Sequence, residues 1–424
     1  MTIALGGSGH VLNQDAITST EMNKPMFHLP DTVFISLEPW DRVWRRNQFL
    51  VSGLARKYTA TRFLFLAPPL DLSHPLSHLQ CGTFFQRYPD VGRPAKIAGY
   101  SNIYQLRSLK LLPNSIAAGR SFNIAVTAHL VQRALKTLHF DTKPLLWVND
   151  QSAQPLTLRL DHSAIVYDIT DDWSEIAQSA KARDRVRVDD ASMLAEADLV
   201  IVCSERLYQL KQATRSSRLA LLRKGVEFWR YAAPNGKTPD PRSHGWHPPV
   251  LGYTGTLHLD RLDVDLLSDV ANKIAPGTIV MIGPNQLPVS INRQIKRIPN
   301  IILLGEVPMP ELPSLMKSFN ITIVPHRVTP FTESLNPLKL YEYLAVGKPI
   351  ISTPVAGFRN YPQLIYLAET GKQFSDHVAS ALNEPRYRVY QRRAEAANHT
   401  WGKRIASLES LLQDLFNSYE ERAS

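Results

Sequence analysis

"NPLKLYEYLAVGKPIISTPV", residues 336–355, holds a helix start, a helix stop and a strand within twenty residues. Asn336 is a preferred N-cap residue and Pro337 suits the first helical position, so the pattern predicts a helix beginning there. Gly347 stops it and Pro349 prevents its continuation. The apolar run "ITIVPHR" (321–327) comes shortly before and reads as a strand. The helix is therefore expected to open just beyond the carboxyl end of a parallel strand, where free N–H groups and the positive dipole end can receive an anion. Lys339 and Glu342 are three apart and share a helix face. A lysine in the first turn opposes the dipole unless something negative binds beside it. A phosphate would supply that charge, and a carboxylate one turn deeper could accept hydrogen bonds from ribose hydroxyls. A Lys–Glu pair solvated on an otherwise packed helix accounts for the same residues without a ligand, and both readings stand at this level.

Outward from this stretch, the second half alternates strands and helices. Strands are expected at 249–255, 278–284, 300–307, 349–355 and 364–368, with helices at 263–274, 310–319 and through most of 374 to the end. The first half does the same, with strands at 31–37, 61–67, 144–150, 163–169, 197–204 and 219–225. The strand at 61–67 is expected to stop at Pro68 and Pro69, and helices are expected over 43–57 and 121–138. Near-continuous apolar strands separated by helical patterns predict parallel sheets covered on both faces. The division expected is a flexible tail at 1–30, a first domain at 31–231, a Pro/Gly-rich linker at 232–248 and a second domain at 249–395. A C-terminal helix at 396–424 is expected to pack back toward the first domain. Two doubly wound units in tandem bind ligands beyond the carboxyl ends of their strands, which places a site in the cleft between them.

With 424 residues, 44% apolar and 20% charged, the chain has the composition of a soluble two-domain protein. No run of eighteen apolar residues predicts a spanning helix, and the first thirty residues lack the pattern of a cleaved secretory signal. Cys81 and Cys203 have no metal-site spacing, and a cytoplasmic location is expected. The net charge of +10 is uneven: residues 51–150 hold twelve Lys/Arg against four Asp/Glu, whereas 251–424 hold eighteen against sixteen. Such a basic half suits an anionic membrane surface or a phosphorylated substrate, and Phe84, Phe85 and Tyr88 lie within it. No nucleic-acid module is recognised, and no G-x-G-x-x-G follows the first strand to suggest a dinucleotide oxidoreductase.

The segment "PLKLYEYLAVGKPIIST" resembles the second domain of the GT-B fold glycosyltransferases, especially the family 4-like bacterial enzymes of polysaccharide assembly. "LGYTGTLHLDRLDVDLL", "LLGEVPMPELPSLMKSFNITIVPHR" and "HTWGKRIASLESLL" are similar to the same group, as are "SLEPWDRVWRRNQFLVSGLA", "VYDITDDWSE" and "ADLVIVCSERL" in the first half. The resemblance implies that Glu342 binds the donor ribose. The loop 332–336 and the following helix start would hold a diphosphate with Lys339 nearby, and Gly255 would let backbone approach the phosphates. The family pattern has a further glutamate at the position of Ser334, with Glu333 beside it here, so the contact of that acid with the donor sugar is in question. Lys224 likewise stands where relatives have asparagine.

Two first-half segments remain. "DITDDWSE" (168–175) groups Asp168, Asp171 and Asp172; a metal site, a catalytic or acceptor role for Asp171 or Asp172, and simple capping are all open readings. "PWDRVWRRNQ" (39–48) places Trp40, Asp41, Arg45 and Arg46 on the acceptor side by resemblance, where an arginine could pair with a lipid-linked diphosphate. Among the thirteen histidines none has a spacing that singles it out. The expected protein is a metal-independent, retaining glycosyltransferase. It would take no cofactor and would move a sugar from a nucleotide diphosphate donor to a glycan or lipid-linked acceptor. A non-catalytic nucleotide-sugar-binding scaffold on the same fold is the alternative.

Overall fold

The computed structural model describes residues 27–423 apart from 73–89, 115, 141–142, 177–178, 214–217 and 233–239. The aromatic residues Phe84, Phe85 and Tyr88, most of the N-terminal tail, and part of the 232–248 linker lie outside the described residues. Eight strands form the first sheet: β1 (Thr32–Ile35), β2 (Phe63–Asp71), β3 (Ala95–Lys96), β4 (Ile103–Lys110), β5 (Leu145–Val148), β6 (Ala164–Ile169), β7 (Leu199–Val202) and β8 (Leu219–Leu221). Their order is β3-β4-β2-β1-β5-β6-β7-β8, parallel except for the β3–β4 pair. The second sheet contains β9 (Val250–Thr254), β10 (Thr278–Ile282), β11 (Ile301–Gly305), β12 (Ile321–Val324), β13 (Ile350–Ser352) and β14 (Tyr366–Leu367). It is parallel and ordered β11-β10-β9-β12-β13-β14.

Both faces of each sheet are buried, which is why the strands read as unbroken apolar runs. Val33 and Ile35 of β1 enter one core with Leu64, Leu66, Leu146 and Val148, while Phe34 enters the opposite one with Phe63, Phe65 and Trp147. The second sheet divides likewise: Leu251, Ile279 and Ile323 face one core, and Val250, Val280 and Val324 the other. The helix Trp401–Ala423 leaves the second domain and packs Trp401, Leu408, Leu412 and Leu415 into the first domain's core. Its Trp401 ring stacks on Phe49 at 4.6 Å between centroids. Where the chain crosses back, Val226 N–H donates to His399 and Trp401 N–H to Val226, at 2.9 and 3.2 Å.

Several local expectations are corrected. β2 does not stop at Pro68 but runs through both prolines to Asp71. Its pairing with β4 shifts register between Ala67 and Leu70, which leaves the two prolines without a ladder bond to supply. β4 was not expected, because Arg107 and Lys110 interrupt its apolar pattern. Among the described residues its outer neighbour is the two-residue β3, so it need not be apolar throughout. The first helix begins at Arg46 rather than 43, where the Gln48 side chain accepts the Arg45 N–H at 2.8 Å. The helix of the opening stretch runs Leu338–Val346 and ends at Gly347 in the left-handed conformation (φ 83°). Asn336 does not cap it; Pro337 holds that position, because the Asn336 side chain is engaged elsewhere.

Candidate active site

In each sheet the strand order reverses beside its first strand, between β1 and β5 and between β9 and β12. The carboxyl ends at those switch points face one another across a cavity of about 310 Å³. The second domain contributes Thr254–Thr256, Arg261, Gly283, Glu306, Val307, His326, Pro337, Leu338, Lys339 and Glu342; the first contributes Glu38, Arg42, Arg45, Thr170, Asp171, Trp173 and Lys224 among others. Gly255 (φ 131°) and Gly283 (φ 140°) meet at the ends of β9 and β10, where a Cβ on Gly283 would come 2.3 Å from the Gly255 carbonyl oxygen. Only glycine permits this close crossing of two loops at the cleft wall.

Arg261 is fixed by its neighbours' backbone. Arg327 N–H donates to its carbonyl at 2.8 Å, and Leu262 bridges His326 in an antiparallel pair. Its guanidinium lies over the Phe331 ring at 5.8 Å, and its buried Nε has no hydrogen-bond partner. Lys339 is buried and donates to the Tyr253 hydroxyl at 2.7 Å. A Cβ on Gly255 would lie 3.0 Å from its Nζ, so the lysine stands directly behind the glycine loop. Among the described residues neither cation has a carboxylate within 4.0 Å, the reach of an ion pair. Burial and the Arg261 charge push the Lys339 ammonium well below the usual lysine range, partly opposed by Glu342. Glu342 accepts from the Tyr231 hydroxyl at 2.9 Å through Oε1, and Oε2 has no partner among the described residues. Burial raises its carboxyl, against the Tyr231 bond and Lys339.

The structure brings Gly255, Pro337, Lys339 and Glu342 to one wall and separates them from the other donor candidates. Glu333 pairs with Arg359 on a different surface. Ser334, fully buried, accepts from Asp172 N–H at 3.1 Å, and its carbonyl accepts from the Ser204 hydroxyl at 2.6 Å. Asn336 accepts from Lys224 N–H at 2.7 Å and donates to the Tyr341 hydroxyl at 3.0 Å. Ser334 and Asn336 therefore tie the two domains together instead of facing the cleft.

On the first domain, Arg46 is not free for a ligand. Its Nε and Nη2 donate to both oxygens of the buried Asp168 and its Nη1 to Leu222, so burial is compensated within the protein. That bond also removes Asp168 from any metal set, and among the described residues no group of three His, Cys, Asp or Glu converges. Asp172 caps the turn Trp173–Glu175 by accepting from Ser174 N–H and hydroxyl at 3.1 and 2.7 Å. Asp171 lines the cleft, and its carboxylate has no hydrogen bond or ion pair among the described residues. Arg45 pairs with Asp41 at 3.1 Å and Glu38 at 3.3 Å, and Trp40 packs edge-on against Phe65. Glu38, Tyr231, Tyr253, Arg261 and His326 were not singled out from the sequence. His326 and Tyr253 lie within the expected strands 321–327 and 249–255, near the carboxyl ends where a cleft was expected, which is the positional signal the sequence carried.

Two parallel-sheet domains with facing carboxyl edges and a C-terminal helix returning to the first domain define the GT-B fold. Residues 248–384 match the family model described as glycosyl transferases group 1. A Bacillus subtilis (strain 168) protein named for teichuronic acid biosynthesis, the glycosyltransferase TuaH, is 27% identical over 201 residues, 45% of this chain and 50% of that one. The chain thus spans about half the length of the curated relative it matches. Three solved structures are similar over almost the whole chain. Sucrose-phosphate synthase from Thermosynechococcus elongatus has a TM-score of 0.67 at 15% identity, covering 92% of this chain and 100% of that one. Trehalose 6-phosphate synthase from Burkholderia multivorans has 0.61 at 14%, covering 94% and 99%. Anabaena HepE, in complex with UDP-glucose, has 0.60 at 13%, covering 91% and 99%. At these identities the likeness carries the fold. The second domain matches the group 1 glycosyltransferase family model, and the chain as a whole has the GT-B fold.

Proposed function

We propose that this chain transfers a sugar, with retention of anomeric configuration, from a nucleotide diphosphate sugar to a glycan or lipid-linked acceptor in cell-surface polysaccharide synthesis. The observation carrying this reading is the pairing of two basic side chains without carboxylate partners among the described residues, Arg261 and Lys339, with Glu342 beside them on one wall. The orphaned Arg261 Nε would donate to a diphosphate oxygen, Lys339 would neutralise it, and the unengaged Glu342 Oε2 would accept from a ribose hydroxyl. That Anabaena HepE is described with UDP-glucose supports a nucleotide sugar in a cleft of this fold.

In this reading the departing diphosphate is stabilised by fixed cations and backbone donors, so no metal or other cofactor is required. Asp171 is the first-domain carboxylate that an acceptor hydroxyl would meet. Burial raises the Glu38 carboxyl despite Arg45 beside it, which keeps a second, less acidic group on that side. An acceptor anchored at the cytoplasmic face of a membrane would suit the basic first half. Leu112, Ile116 and Phe122 are exposed around the start of the helix Ala117–Thr137, close to Arg120. Among the described residues no helix is long and apolar enough to cross a membrane.

The substitution of Ser334 for the family's acid favours one alternative, a scaffold that binds nucleotide sugar without transferring it. Purified protein incubated with nucleotide sugars and membrane extracts separates the two. Sugar incorporation supports transfer; nucleotide binding with neither transfer nor donor hydrolysis supports the scaffold. Sedimentation with neutral and anionic liposomes at low and high salt tests the membrane component. Salt-sensitive recovery with anionic vesicles alone is expected, and equal solubility throughout would rule it out.

A further inference from the structure

Behind Gly255, three side chains from three elements meet in one buried cluster. The Lys339 Nζ donates to the Tyr253 hydroxyl at 2.7 Å and lies 3.9 Å from that ring's centroid. The Tyr253 hydroxyl is 3.1 Å from His326 Nε2, which in turn is 3.4 Å from Lys339 Nζ. The shorter contacts form a directed chain: lysine donates to the tyrosine oxygen, and the tyrosine proton is given to an unprotonated imidazole nitrogen at 3.1 Å, nearer than its other acceptor, the Thr256 carbonyl at 3.4 Å. His326 thereby turns the Tyr253 lone pairs toward Lys339.

The groups facing Lys339 do not supply a counter-charge at contact distance. Tyr253 comes from β9, Arg261 from the loop after it, and His326 from the end of β12. Glu342 and Tyr343 come from its own helix, and Glu342 is shared with Tyr231 of the helix Phe228–Ala232. Tyr343 is occupied by Thr254 N–H at 2.8 Å. Burial and Arg261 disfavour the ammonium, while Glu342 and the Tyr253 ring face favour it. The first pair prevails, and His326 is held far toward its neutral form by burial, Lys339 and Arg261.

We propose that nucleoside diphosphate binding is coupled to proton uptake by Lys339, a buried amine with no carboxylate at contact distance in the empty cleft, with His326 as the positioning residue that keeps the Tyr253 oxygen ready for the ammonium. This rests on the nucleotide-sugar reading above. The proton joins the amine lone pair; no bond to the ligand forms and nothing is oxidised. Because the bound diphosphate raises the lysine's affinity for its proton, affinity for the nucleotide falls tenfold per pH unit between the free and bound values. Below the free value and above the bound value it is level.

Calorimetric titration of the full chain with UDP, GDP and ADP, in pairs of buffers with different ionisation enthalpies near pH 8 and pH 9, reads this directly. The last phosphate ionises at about 6 and is silent at both values; the uracil and guanine bases begin to lose a ring proton about pH 9, so ADP, which has none to lose, is the reference at that pH. Net proton uptake, at most one per nucleotide, is expected for the wild type. Lys339→Arg, whose guanidinium is always charged, should bind with no uptake. His326→Gln, which keeps a neutral acceptor, should retain it, and His326→Ala should displace the pH window. Binding by the wild type without uptake, and with affinity level across these pH values, would overturn the proposal. So would unchanged uptake in Lys339→Arg. Failure of the folded wild type to bind any of the three nucleotides would instead overturn the nucleotide-sugar reading, and this proposal with it.

Discussion

The backbone N–H of Asp172 donates to Oγ of Ser334 at 3.1 Å, joining the acid-rich turn of the first domain to the segment before the helix Leu338–Val346 of the second. The Ser204 hydroxyl to the Ser334 carbonyl and the Lys224 N–H to Asn336 complete a tether of three interdomain bonds. Position 334, where the family pattern has an acid, thus sets the spacing between Asp171 and the wall that holds Lys339.

Ser334→Ala removes one of these bonds at a cost of about 0.5–1.5 kcal/mol. Amide exchange over 170–175 should quicken while exchange in β10 is unchanged. Ser334→Glu should be more damaging, since it places a charge in a fully buried position. Unaltered exchange over 170–175 in Ser334→Ala would show that this bond does not hold the Asp172 turn.

The Arg46–Asp168 pair is predicted to be structural. Arg46→Met or Asp168→Asn alone should lower stability by about 3–5 kcal/mol, because each leaves its partner buried without compensation. Replacing both with apolar residues should recover most of the loss in a denaturant titration. Full stability in either single variant would reopen Arg46 as a ligand-binding group.

Glu342→Ala should weaken nucleotide binding by about 1.5–3 kcal/mol, the worth of a charge-assisted hydrogen bond, with the fold intact. Glu342→Gln should lose less, because its amide oxygen still accepts from ribose. Calorimetry on folded variants checks both. Wild-type affinity in Glu342→Ala would remove this residue from the site.

The architecture was legible because its determinants are local. Gly347 ends the helix wherever the chain goes next, and strands buried on both faces, such as Leu145–Val148, need only apolar residues in a row. Asn336 was misread because its oxygen is claimed by Lys224, over a hundred positions earlier, and no local rule contains that bond. Arg46 and Asp168 failed for the same reason: each reads as an exposed functional charge until folding brings them together. Arg261 gave no signal in its own segment. Its role arises from the bridge between Leu262 and His326, which turns it into the cleft.

Chelation should leave turnover nearly unchanged, because in the proposed reaction Arg261 and Lys339, which line the cleft, would stabilise the charge on the leaving diphosphate. Activity measured with and without EDTA decides this. Complete loss, restored by Mn²⁺, would require a cation in the cleft.

The most direct measurement is the release of nucleoside diphosphate from a panel of nucleotide sugars, with membrane extract as acceptor, by the wild type and by Arg261→Ala. The cleft described here predicts release from at least one donor. It also predicts a fall in rate of about tenfold to a thousandfold in the variant, as for loss of one group stabilising developing charge. Equal rates in the two proteins would place the chemistry elsewhere, and absence of both release and nucleotide binding in the folded wild type would contradict a donor site between these domains.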